Sequence, residues 1–216
     1  PVHACYITPD AGRSLLDTTR DAFRALSSDP GYARAVAIHD LTHDLLQRLE
    51  RAWAGYARSL PRHLIHGDFV GNNVLIHQGE VIAILDFDRL AVRHRVYDAA
   101  YTLMYVVTRL HRTGQRTPAA DDGLTAGDLD RLVRVLAGYV ASSHDELSDE
   151  EIAALPYEMA RAILYPAVTA GQDLRHAIAE TLDFGGHVPL CLWLVEHADV
   201  VSARLREAVD RRGAAG

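Results

Sequence analysis

Apolar side chains recur every three or four positions across residues 15–26 and again across 32–60, as in Ile38, Leu41, Leu45 and Leu49, with charges between them. That period belongs to helices with one buried stripe, and Asp29-Pro30-Gly31 separates the two. Between Leu64 and Asp88 the pattern changes. Val74-Leu75-Ile76 and Val81-Ile82-Ala83-Ile84-Leu85 are short aliphatic runs flanking His77-Gln78-Gly79-Glu80, which predicts a small β-hairpin. Helical spacing returns over 97–110 and then breaks at a polar span, 113–123, that contains Pro118 and reads as a surface loop. Thr125 three residues before Asp128, and Ser148 three before Glu151, each predict a capping box and a helix start. A last helix is expected over 188–209. At the other end, residues 1–8 read as an apolar strand, and Pro9-Asp10-Ala11-Gly12 as a turn. Asp183-Phe184-Gly185-Gly186 reads as a helix-ending turn with permissive glycines. The fold class is therefore mainly α (α+β), helices around a small hairpin.

Composition narrows the functions open to such a fold. With 216 residues, 49% of them hydrophobic, the chain can bury one core. A net charge of -7 with scattered Arg argues against nucleic acid as a partner. No apolar run is long enough for a bilayer and no basic-then-apolar start is present, so a cytoplasmic protein without a membrane partner is expected. Cys5 and Cys191 are then expected reduced and structural. All 22 basic residues are Arg, and Lys is absent. Nine acids between Asp121 and Glu151 could attract a cationic amine, although helix starts favour acids for their own electrostatics. Tyr97, Tyr101 and Tyr105 share a helix face, which suits core packing or a cation–π pocket, with packing the first reading. The twelve His are dispersed and read as surface residues, His39 and His43 included, for no third metal ligand accompanies that pair.

The chemistry concentrates at either end of the hairpin. His66-Gly67-Asp68 precedes one strand, Asn73 lies five residues after Asp68, and Asp86-Phe87-Asp88 follows the other strand. Phosphoryl transfer needs a carboxylate near the attacking hydroxyl and oxygen ligands for Mg²⁺, and Asp68, Asn73 and Asp86 supply that set. The segment resembles the aminoglycoside phosphotransferase and choline kinase superfamily: His66, Gly67, Asp68 and Asn73 match its H-G-D-x-x-x-x-N signature. Leu85-Asp86-Phe87-Asp88 and Tyr97-Asp98-Ala99-Ala100 match its second block except at aliphatic positions. The resemblance implies Asp68 as catalytic base, Asn73 and Asp86 as Mg²⁺ ligands, and His66 as scaffold of the loop. It further implies Asp88 as an outer or second-metal carboxylate, and Asp98 as the tie between the next helix and the loop.

It also implies the C-terminal lobe of a protein-kinase-like fold, moving the γ-phosphoryl of ATP or GTP to a small-molecule hydroxyl such as that of an aminoglycoside or amino-alcohol. Such kinases carry a smaller N-terminal lobe with a Gly-rich loop and a phosphate-binding Lys, and this chain shows neither. The resemblance places residues 5–12 at the interlobe hinge, so that 1–12 is a hinge remnant, 13–210 the lobe and 211–216 a disordered tail, with the N-terminal lobe absent. Turnover by this chain alone is then doubtful. Three explanations stay open: a fragment, a natural loss, or a lobe reused as a non-kinase enzyme, a binding protein or a pseudo-enzyme partner subunit. A second chain or copy completing the site is open as well.

Overall fold

Pro9 opens a helix where a turn is expected. Proline has no N–H to donate, and the first helical position has no use for one. In the computed structural model, which describes residues 7–112, 123–143, 145–169 and 177–213, α1 (Pro9–Arg24) runs straight through Gly12. That glycine serves close approach: a Cβ there would stand 2.9 Å from Leu46 Cδ2 on the next helix, α2 (Tyr32–Tyr56). The expected strand over 1–8 lies almost wholly outside the described residues, as does Cys5.

After α2 the chain forms two small antiparallel sheets, one nested inside the other in sequence. The outer pairs β1 (Arg62–Ile65) with β4 (Ala91–His94), in the register Arg62↔His94 to Ile65↔Ala91. The inner is the expected hairpin, β2 (Val74–His77) with β3 (Glu80–Ile84). Gln78 and Gly79 at its tip have φ of 51° and 86°, the pair of left-handed residues that a tight hairpin requires. β1 and β4 were not expected. They bring residue 66 and residue 90 to one end of one sheet, and so place the two halves of the candidate site side by side.

The remaining described chain is helical: α3 (Val96–Arg112), α4 (Ala126–Ser142), α5 (Asp149–Ala162), α6 (Leu164–Thr169), α7 (Ala177–Phe184), α8 (Val188–Glu196) and α9 (Ala198–Gly213). Both capping boxes form, with Thr125 and Ser148 accepting from the amides of Asp128 and Glu151. The single helix expected over 188–209 is two, parted at His197. Both the backbone N–H and Nδ1 of that residue reach the Trp193 carbonyl, at 2.9 Å each, and its ring stacks on Trp193. α9 runs on to Gly213, into the span expected to be a tail. Gly185 has no left-handed φ; its hydrogen side is needed because a Cβ would meet Ile38 Cγ2 at 2.1 Å.

Leu45, Leu103, Leu136, Leu155, Leu194 and Leu205, from six different helices, share one buried core. Within it Arg161 is 0% exposed. Its guanidinium pairs with Glu158, donates to the Ile7 carbonyl at 3.0 Å and lies 4.6 Å from the Trp53 ring. Glu158 in turn meets His94 Nδ1 at 3.2 Å, while His94 Nε2 faces the Ala57 carbonyl at 3.0 Å. The end of β4 is thereby tied to the helical core. His94 is thus not a surface residue, and neither is His39, whose Nε2 sits 3.2 Å from the Leu16 carbonyl and whose pKa burial lowers.

The acids expected as solvated helix starts are mostly engaged. Asp128 and Glu151 are buried caps, and Glu151 also holds Arg95 at 2.5 Å. Asp130 pairs with Arg204 and Asp149 with Arg206. Asp121 and Asp122 lie outside the described residues. Among the described residues no helix is long and apolar enough to cross a membrane.

Candidate active site

The loop after β1 is held from below by one carboxylate. Asp98, in the first turn of α3, accepts from the backbone N–H of His66 and of Gly67, at 2.8 Å each. Burial raises its pKa, and those two amide bonds work against the rise. Gly67 takes φ +80°, and a Cβ there would stand 2.6 Å from the Arg89 carbonyl oxygen, so only glycine fits on both counts.

His66 then bridges the two halves of the site. Its Nε2 is 2.8 Å from the Leu85 carbonyl, which can only accept, and its Nδ1 is 3.3 Å from the Asp68 N–H, which can only donate. The partners therefore assign the proton to Nε2. Phe87 and Phe69 flank the ring at centroid distances of 5.1 and 5.9 Å. His66 thus links the loop after β1 to the end of β3.

From Asp68 the chain passes buried Val70 into a one-turn 3₁₀ helix, Gly71–Asn73, closed by the Asn73 N–H on the Val70 carbonyl at 2.9 Å. Asn73 reaches back: its Nδ2 donates to the Asp68 carbonyl at 2.9 Å and lies 3.3 Å from Asp68 Oδ2. Its side-chain oxygen is the atom left to face a cation. The Leu85 N–H donates to the Asn73 carbonyl at 2.8 Å, extending the hairpin ladder so that Asp86 emerges one residue beyond Asn73's partner. Asp86 takes a left-handed conformation, φ 61°, that a non-glycine residue adopts only under constraint. A second one-turn helix, Phe87–Arg89, follows and leaves Asp86 and Asp88 exposed.

Arg89, which sequence reasoning did not single out, turns its NH1 to within 3.5 Å of Asp68 Oδ1. Its place directly after the Asp86-Phe87-Asp88 triplet was the available signal. Thr102, whose hydroxyl is 2.6 Å from the Phe69 carbonyl, was missed as well, and Tyr105, read as one of a packing or cation–π face, donates its hydroxyl to Asn72 Oδ1 at 3.0 Å. The tyrosine face expected as packing divides: Tyr97 is fully buried, while Tyr105 meets the loop. Behind the loop, on the side of His66 and Phe69, lies a mainly apolar cavity of about 620 Å³ walled by Leu64, Phe87, Leu103, Leu136 and Tyr139.

Among the described residues no three His, Cys, Asp or Glu side chains stand close enough to cage a metal ion. Mg²⁺ takes one or two carboxylates and fills its octahedron with waters and phosphate oxygens. Asn73 and Asp86 fit such a partial set.

A helical scaffold that braces an aspartate against an asparagine five residues on, opposite a returning carboxylate, is suited to phosphoryl transfer. The chain belongs to the phosphotransferase enzyme family, which it matches over residues 7–139. A homoserine kinase of Gluconobacter oxydans (strain 621H) is 31% identical to it over 150 residues, which make up 69% of this chain and 40% of that relative. The chain thus spans two fifths of the length of the curated relative it matches. No solved structure is significantly similar to it.

Proposed function

We propose that this chain carries the acceptor-activating part of a Mg²⁺- and ATP-dependent kinase that phosphorylates the hydroxyl of a small molecule. The observation that carries the reading is the Asp68–Asn73 pair, joined by the Asn73 amide in a loop that His66 and Asp98 hold rigid. The acceptor oxygen attacks the γ-phosphorus, the bond to the bridging oxygen of ADP breaks, and the acceptor proton passes to Asp68. Asn73 and Asp86 would hold Mg²⁺, which would supply positive charge to the phosphates. Arg89, whose NH1 lies 3.5 Å from Asp68 Oδ1, offers a cation near the transferring group, a role that falls to arginine in a chain without lysine.

Of the described acids that could have drawn a polycation, Asp128, Asp130, Asp149 and Glu151 are engaged in caps and ion pairs. A small amino-alcohol or hydroxy amino acid is therefore the favoured acceptor over an aminoglycoside, in keeping with the name of the homoserine kinase relative. The test is ADP release from MgATP in the presence of L-homoserine, choline or kanamycin, with the phosphorylated product identified by mass. Asp68→Asn is expected to lower turnover by about 10³-fold or more. A product formed without nucleotide, or unaffected by Asp68→Asn, would overturn the reading. Calorimetry is expected to show MgATP binding weaker than about 1 μM, for want of a lysine clamp.

A further inference from the structure

Helix α3 touches the candidate loop at more points than the motif implies. Asp98, Thr102 and Tyr105 stand at i, i+4 and i+7, on one helix face. They meet the loop in order: Asp98 at the amides of His66 and Gly67, Thr102 at the Phe69 carbonyl, and Tyr105 at the Asn72 side chain. The first lies before Asp68, and the other two lie between Asp68 and Asn73. The helix is a ruler against which the spacing of base and metal ligand is set.

The Thr102 contact is distinguishable from an ordinary helical threonine. Its hydroxyl has one proton and two carbonyls in reach, Phe69 at 2.6 Å and Asp98 at 2.9 Å, and the shorter bond leaves the helix for the loop. Thr108, two turns on, bonds only within its own helix, to the carbonyls of Met104 at 2.9 Å and Tyr105 at 3.3 Å. Such back-bonding is the default for threonine in a helix. The Phe69 carbonyl needs a partner because residues 69–72 belong to neither a strand nor a full helix. Tyr105 pins Asn72, the residue next to Asn73, from the exposed side of the same 3₁₀ turn.

We infer that Thr102 and Tyr105 are positioning residues for phosphoryl transfer, holding residues 69–72 so that Asp68 and Asn73 keep their mutual geometry; the inference rests on the kinase reading above. Thr102 and Tyr105 hold the segment between the two motif residues and not the Asp86 side of the hairpin, so in their absence Asp86 keeps its place for the metal while the base and the phosphorus no longer meet at the right distance. Loss of either hydroxyl therefore falls on kcat, and KM for MgATP is spared.

The experiment compares Thr102→Val, Tyr105→Phe, Thr102→Ser and Thr108→Val with wild type in two readouts. One is hydrogen exchange of the amides of residues 69–73 in the chain without ligand. The other is MgATP-dependent phosphorylation of L-homoserine. For Thr102→Val and Tyr105→Phe, exchange of those amides is expected about tenfold faster and kcat about tenfold lower, with KM for MgATP changed by less than about twofold. Thr102→Ser restores both readouts, and Thr108→Val leaves both unchanged. Wild-type exchange and kcat in the two variants overturn the inference. So does a loss of activity in step with the melting temperature, or one shared by Thr108→Val. Should wild type transfer no phosphoryl group to homoserine, it is the kinase reading that is in question, and exchange with its serine rescue decides the positioning role alone.

Discussion

Gly67 shows how much of the site rests on a missing side chain. It combines a φ of +80° with a backbone contact that would put a Cβ 2.6 Å from the Arg89 carbonyl oxygen. Gly67→Ala must therefore strain the loop or push residues 86–89 away from it. We expect a loss of about 1–3 kcal/mol in urea unfolding, with turnover falling further than stability because Asp68 is the next residue. The motif residues were legible in the sequence because their spacing is local: Asp68 and Asn73 lie in one loop, and the hairpin that returns Asp86 is a short-range pattern. The loop contacts of Thr102 and Tyr105 were not legible, because what marks them is a partner on another element. A helical threonine that bonds out of its helix looks, in sequence, like one that bonds within it.

Among the elements, the two capping boxes and the hairpin tip were readable from side-chain chemistry alone. β1 and β4 were not: Arg62-His63-Leu64-Ile65 and Ala91-Val92-Arg93-His94 are four-residue runs with no clean alternation, and each is a strand only because the other is beside it. At His94 the outer sheet is tied to a buried charge network. Burial, the largest influence on Glu158, would raise its pKa. The charge of Arg161, with the bonds from His94 and Arg161, outweighs it and leaves the folded value below the ordinary 4.5. The sign follows. This network stabilises the fold fully above pH 4.5 and loses its contribution as the pH falls further and Glu158 protonates. Glu158→Gln should cost about 3–5 kcal/mol at neutral pH, since it strands a buried guanidinium. The gap between its melting temperature and that of wild type should narrow in acid. A gap that widens below pH 4.5 would contradict this assignment.

Among the described residues, most of the exposed large apolar side chains lie on the two sheets and the loops at their ends. Leu64, Ile76, Val81 and Ile82 are 64%, 67%, 61% and 62% exposed. Exposed apolar side chains of that kind, on strands with open edges, favour association with other apolar surfaces. Replacing Ile76 and Ile82 together with Thr should reduce binding of an apolar dye and concentration-dependent light scattering. Stability should change by no more than about 0.5–1 kcal/mol, because neither side chain is packed. Unchanged dye binding would show that these side chains are not the adherent surface.

The chain's two tryptophans divide this molecule between them. Trp53 lies under the Arg161 guanidinium in the charged heart of the core. Trp193 is stacked on His197 and pressed so close to Gly123 that a Cβ there would stand 2.2 Å from the indole. Each is therefore a native optical reporter of a different event. In Trp193→Phe the remaining emission follows the buried Arg161–Glu158 network, and in Trp53→Phe it follows the packing of α8 at Gly123, so the two can be timed separately without adding a label.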